Sequence, residues 1–275
     1  MNAIAAAYVA ACLAELDALK PGNVHRHAEG HGMTVADFET SARVSAPALT
    51  APGARVGARV LGAAQATRKA VGQNTNLGIL LLCAPLAAAA EREAAHLRAA
   101  VAAVLDDLDG EDARAVFAAI ALANPGGLGE VARHDVREPP TVPLREAMRE
   151  AAERDLVARQ YANGFADVLG FGLDAYAGNV EALYLAFLAR EPDSHVARKF
   201  GREVAERLQQ DAAARATALA KLDAAARRRE LARWDKALKA RGLNPGATAD
   251  LTVATVFAAS LSASRDERLA RPGQQ

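Results

Sequence analysis

Leu77–Ala90 reads LGILLLCAPLAAAA, and the fold class turns on how that stretch is read. It is built mainly of leucine and alanine, the strongest helix formers; it has no aromatic residue, and Ile79 is its one β-branched residue of the kind that fills strands. It falls short of the ~20 apolar residues that span a bilayer, and it contains Pro85. We read it as a buried helix, opened by the polar break Gln73-Asn74-Thr75-Asn76.

Working outward, Gly, Pro and Asn punctuate the chain into further helical stretches. Ala3 to Ala18 precedes the turn Lys20-Pro21-Gly22-Asn23 and a polar loop carrying His25, His27 and His31. Thr34 reads as an N-cap with Asp37 three residues on, a variant capping box, opening a helix expected to end near Pro47. Residues 54–71 form a helix stopped by Gly72, and two more stretches lead to Asn124. Glu138–Pro143 resembles a linker, but Pro143 can equally be the first residue of a helix capped by Thr141, and a long helix follows to about Val168. Residues 202–241 are alanine-rich and heavily charged, which suits a helix pair with solvated outer faces. Asn244 or Thr248 caps a last helix ending at Leu261. No strand pattern and no repeat is present. The expected fold is all-α: a single compact multi-helix domain over 1–264, its site formed by inter-helix loops, with 265–275 as a frayed tail.

Composition agrees. The 275 residues are 51% hydrophobic and 24% charged, the profile of a soluble globular chain. The 33 basic residues balance 33 acidic ones, which argues against a nucleic-acid binder that must displace counterions from phosphates. Aromatics are only 4%. Cys12 and Cys83 lie in apolar surroundings without CxxC spacing and read as buried reduced thiols. The N-terminal apolar run lacks a basic flank, and Glu15 and Asp17 stand where a cleavage site would be. A cytoplasmic protein without membrane contact is expected.

Chemistry is expected in the polar breaks. Lys20-Pro21-Gly22-Asn23-Val24-His25 puts a cation, an amide and an imidazole on one turn. Asn74, Thr75 and Asn76 precede a helix whose positive end favours a phosphate, although Asn74 or Thr75 also serves as a simple cap. Asn124-Pro125-Gly126-Gly127-Leu128-Gly129 is a glycine-rich loop followed by His134-Asp135. Its formal GxGxxA match is rejected, because helix rather than strand precedes it. Asp193 reads as an N-cap ahead of His195, Arg198 and Lys199. No phosphate loop, HExxH or GxSxG is present.

Taken together the motifs resemble the triphosphoribosyl-dephospho-CoA synthase family. The likeness rests on KPGNV at Lys20–Val24, DFxxSA at Asp37–Ala42, NTNLG at Asn74–Gly78, and GGLG with HD at Gly126–Asp135. It continues through Arg154-Asp155, DSHVxRKxG at Asp193–Gly201 and NPGATADL at Asn244–Leu251. The resemblance implies a transferase that moves the 5-triphosphoribosyl group of ATP to a hydroxyl of dephospho-CoA and releases adenine. It further implies ATP as co-substrate and Mg²⁺ as cofactor. Lys20, Asn23, His25, Asn74, Thr75, Asn76, Gly126, Gly127, Gly129, His134, Arg198 and Lys199 become expected substrate contacts. Asp135, Asp250, Asp37 and Glu15 are the expected catalytic carboxylates, and Asp135, Asp155 and Asp250 the expected metal ligands; Asp37 and Asp250 stand at helix starts and could instead be caps.

The chain departs from the citrate-lyase branch of that family in two places. That branch carries NTHKG where Asn74–Gly78 has NTNLG, and its H-x-D-M element is shortened here to His31-Gly32-Met33. NTNLG resembles the archaeal and methylotroph branch, so a tetrahydromethanopterin precursor competes with dephospho-CoA as acceptor. Two other readings stand beside the transferase: an Mg²⁺-dependent helical hydrolase of ADP-ribosyl type, and a non-enzymatic helical scaffold. The 202–241 pair could also join two copies into a homodimer.

Overall fold

The computed structural model describes residues 2–124 and 138–270, with side chains as far as Arg265. The described residues form α1 (Ala3–Asp17), α2 (Val35–Leu49), α3 (Val56–Val71), α4 (Leu77–Ala90), α5 (Leu97–Asp106), α6 (Gly110–Ala123) and α7 (Leu144–Ala151). Then come α8 (Leu156–Asn163), a π-helical turn (Asp167–Gly172), α9 (Leu173–Ala175), α10 (Val180–Arg190) and α11 (Ser194–Phe200). The chain continues through α12 (Arg202–Leu219), α13 (Ala224–Ala240) and α14 (Gly246–Ala270). Among the described residues there is no strand, only the isolated bridges His25–Ala28 and Gly30–Met33.

The helix at Leu77–Ala90 is buried on nearly every face. Pro85 has no N–H, so it cannot satisfy the Leu81 carbonyl one turn back. The hydroxyl of the buried Tyr161 donates to that carbonyl at 2.6 Å and ties α8 to α4. Helix α14 packs beside α4, α1, α10 and the π-helical turn, and forms the centre of one core. Its stretch Gly246–Arg265 is long and apolar enough to cross a bilayer, yet 67% of its most apolar window is buried in the protein. Thr252 and Thr255 survive there because each hydroxyl donates to the carbonyl four residues earlier, at 2.8 and 2.9 Å. A second core joins Leu19 and α10 to α12 and α13.

The local signals hold where capping is concerned. Thr34 and Asp37 form the reciprocal box on α2, and Gly72 ends α3 in the left-handed conformation. Helix α2 ends at Leu49, near Pro47 as expected, and carries that proline inside its last turn. Other expectations need correction. The long helix from Pro143 is two helices and a π-turn, because Asp155 accepts from the N–H groups of Val157 and Ala158 and starts α8 afresh. Thr141 does not cap α7, which begins directly after Pro143 without a side-chain cap. Thr248 does not cap α14: its hydroxyl and its own N–H both donate to buried Asp193 at 2.8 Å. The last helix continues past Leu261 to Ala270, and the Arg265 guanidinium donates to the Arg92 carbonyl.

Candidate active site

The N-terminal turns of α4, α8, α11 and α14 meet around one cavity of about 1010 Å³. That is the top of the range of roughly 300–1,000 Å³ for small-molecule sites, enough for a nucleotide and a second substrate. Each helix turns its positive dipole end to the cavity, although several first-turn N–H groups are already held by Asn74, Asp155, Asp193 and Ser194. Arg198 and Lys199 add formal charge on one side, and Phe117, Ile120 and Met148 of α6 and α7 supply an apolar end.

Residues far apart in sequence build this wall. Gly22 turns the chain at φ 86°, where a side chain would collide with the Leu243 carbonyl and Pro245. The Gly22 N–H donates to Asp235 at 2.9 Å, and Asn23 Nδ2 donates to Asn244 Oδ1 at 2.8 Å. The KPGN and NPG turns are thereby clamped together. Lys20 lies beneath that clamp, fully buried. Its ammonium donates to Glu15, to Asn23 Oδ1 at 2.9 Å and to the Val24 carbonyl at 2.8 Å. Burial pushes Glu15 up and Lys20 down against their mutual attraction. Glu15 and Asn23 reach the cavity surface; Lys20 does not line it.

The NTNLG segment forms the opposite lip. Asn74 Oδ1 accepts the Leu77 N–H at 3.1 Å, and Thr75 shares a 2.5 Å hydrogen bond with Ser41. Asn76 is buried, and its Nδ2 has no hydrogen-bond partner. Asp250 lies directly over Gly78: a methyl group there would fall 2.0 Å from Oδ2 and 2.5 Å from Cγ. Among the described residues no donor hydrogen-bonds the Asp250 carboxylate. Burial, reinforced by Asp193, Glu15 and Asp155 and only partly offset by Arg198, pushes its carboxyl well above the usual range. Asp155 also lines the cavity, with Oδ2 3.2 Å from Arg198.

Two further expected residues lie elsewhere or act as supports. His25 faces a separate cavity of about 550 Å³, since the chain reverses where His25 pairs with Ala28. Its Nδ1 accepts the His27 N–H at 3.2 Å, and its Nε2 is 3.4 Å from Asp235. Asp37 caps α2 and accepts from Gln73 Nε2 at 3.2 Å, holding a cavity residue without lining the cavity itself. Gly126, Gly127, Gly129, His134 and Asp135 fall outside the described residues. The structure adds His31 and His195 to the wall, with Arg68, Arg154 and Arg202. His195 had a readable signal: it precedes Arg198 and Lys199 by one helical turn and so shares their face. Among the described residues no group of three or more His, Cys, Asp or Glu is set to hold a metal.

Fold and site together define an all-helical protein whose inter-helix turns converge on one cavity. The chain belongs to the ATP:dephospho-CoA triphosphoribosyl transferase family, CitG, whose profile matches residues 1–268. That family transfers the triphosphoribosyl group of ATP to dephospho-CoA. The fold is similar to the crystal structure assigned as a triphosphoribosyl-dephospho-CoA synthase from Archaeoglobus fulgidus, with a TM-score of 0.64 and 28% identity. The match covers 82% of this chain and 98% of the archaeal one. A comparison with curated proteins finds no match.

Proposed function

We propose that the cavity holds ATP with its triphosphate against the convergent helix N-termini, Arg198 and Lys199, and its ribose between Asn76 and Asp250. The observation that carries this reading is the placement of Asp250 on Gly78, at the rim of a cavity that also carries Arg198 and Lys199. Triphosphoribosyl transfer forms a bond from an acceptor oxygen to C1′ and breaks the bond from C1′ to adenine N9. Positive charge develops on the sugar while the base accumulates electrons. Asp250, biased toward its protonated form, is suited to give a proton to the departing adenine, and the carboxylate left behind faces the cationic sugar. The partnerless Nδ2 of Asn76 supplies a donor for a ribose hydroxyl. Lys20 is assigned a supporting role, fixing the KPGN turn from below.

The described carboxylates form no metal cage, which fits Mg²⁺ carried on substrate phosphates and held by one or two carboxylates. Asp155 on the cavity wall is the ligand we assign, and the ion would neutralise triphosphate charge. No step depends on a geometry for it.

The acceptor implied by the family is dephospho-CoA. A second acceptor, a tetrahydromethanopterin precursor, is favoured by Leu77, an apolar residue on the cavity wall where the citrate-lyase branch has a cation. Inversion at the β-configured C1′ of ATP gives the α-linked ribose that such an acceptor carries. The enzyme should be incubated with ATP, Mg²⁺ and each acceptor, adenine quantified by chromatography and the conjugate identified by mass. Adenine release with one acceptor, matched by an equimolar conjugate, selects it. No release with either eliminates the transferase reading.

A further inference from the structure

Gly246 opens α14, and a methyl group there would fall 2.3 Å from Nδ1 of His195 and 3.3 Å from Cε1 and Cγ. The imidazole therefore lies edge-on against the α14 backbone with Nδ1 inward, which leaves Nε2 on the outer edge of the ring. His195 lines the cavity, and among the described residues no hydrogen bond engages its side chain. It precedes Arg198 and Lys199 by one turn on α11, so the three share a face beside the expected triphosphate. Among the described residues no group uses its outer nitrogen.

We propose that His195 is the base that takes the proton of the acceptor hydroxyl, an assignment that rests on the transfer reaction above. The acceptor O–H gives its proton to Nε2, and the freed oxygen pair forms the bond to C1′. The C1′–N9 pair leaves with adenine, which takes a proton from the Asp250 carboxyl. The imidazolium and the Asp250 carboxylate regain their starting states by exchanging one proton through water. Atoms and charges balance without a further reactant.

The surroundings keep the ring in its basic form. Burial comes first, then Arg198 and Lys199 of α11 and His31 from the loop before α2, and together they lower it to about 4. Asp250 of α14 and Asp155 at the start of α8 line the same cavity, while the Asp193 carboxylate is turned toward Thr248. A triphosphate between Arg198 and Lys199 would cancel much of the positive field and raise the ring toward the range where a base works best near neutral pH. The site thus acquires its base when the donor is bound.

The test uses the full chain with ATP, Mg²⁺ and whichever acceptor supports adenine release by the wild type. His195→Gln should lower kcat by about 100-fold or more while KM for ATP stays within about threefold. The acid limb of the wild-type kcat–pH profile should disappear in that variant, and added imidazole should restore part of the rate of His195→Ala. Gly246→Ala, which keeps the ring but displaces it, should also lose kcat, and it decides the question if the Gln variant melts below assay temperature. A folded Gln variant with kcat within about threefold of wild type, or one whose loss lies in KM alone, overturns the assignment while leaving the transferase reading intact. A wild type that releases no adenine removes that reading and this one with it.

Discussion

Gly78→Ala separates catalysis from stability at this site. Gly78 stands in the first turn of α4, where alanine should help the helix by up to about 1 kcal/mol. The new methyl would lie 2.0 Å from Asp250 Oδ2, whereas ordinary contact begins near 3.4 Å, so the carboxylate must retreat by about 1.4 Å. Among the described residues no hydrogen bond pins that carboxylate, and half-buried Asp250 can turn away within the cavity. The fold should therefore change by less than about 1 kcal/mol in either direction, a Tm shift of no more than about 4 °C. Misplacing a reacting group by an ångström or more costs about 100-fold in rate, so kcat for adenine release should fall by at least that factor. Calorimetry and a steady-state adenine assay on the same preparation read both numbers. A variant with wild-type kcat would show that Asp250 need not sit where Gly78 allows it. A loss of several kcal/mol would show instead that the carboxylate is held rigidly.

Asp250→Asn should abolish turnover yet stabilise the protein. Its carboxyl is raised in the folded state, so the stability linked to it is present at low pH and lost as pH rises through the folded value. The Asn variant should thus gain more Tm over wild type at pH 8 than at pH 5; equal gains at both would refute the linkage. Lys20→Met strands the buried Glu15 carboxyl and should cost about 3–5 kcal/mol in urea unfolding, while Glu15→Gln/Lys20→Met should recover most of it. A double variant as unstable as the single one would show that the pair does not act as a unit. Tyr161→Phe leaves the Leu81 carbonyl, already deprived of a partner by Pro85, without a donor, and should lose about 1–3 kcal/mol. An unchanged midpoint would mean that water replaces the hydroxyl.

The helices were legible because their signals are local. Leucine and alanine runs, the Thr34–Asp37 box and Gly72 each act within a turn or two, and each did so here. Where a local signal met a tertiary competitor it lost, as when Thr248 gave its hydroxyl to Asp193; Asp155, by contrast, broke the expected long helix through a local cap on the N–H groups of Val157 and Ala158. The polar turns were also legible as the place where chemistry would gather, and the NTNLG, DSH and NPG segments do line one cavity. The functions of individual side chains within them were not. Lys20, expected as a phosphate contact, lies buried below the cavity on Glu15, Asn23 and Val24, and His25, expected beside it, faces another cavity.

By itself, then, the amino-acid order determined an all-helical chain, its caps and the identity of its polar junctions, since propensity and capping depend on residues only a few positions apart. Tertiary packing alone decided which groups face one another. Gly78 meets Asp250, Asn23 meets Asn244 and Gly246 meets His195 across wide gaps in the chain, and those separations are closed only when α14 packs against α1, α4 and α11.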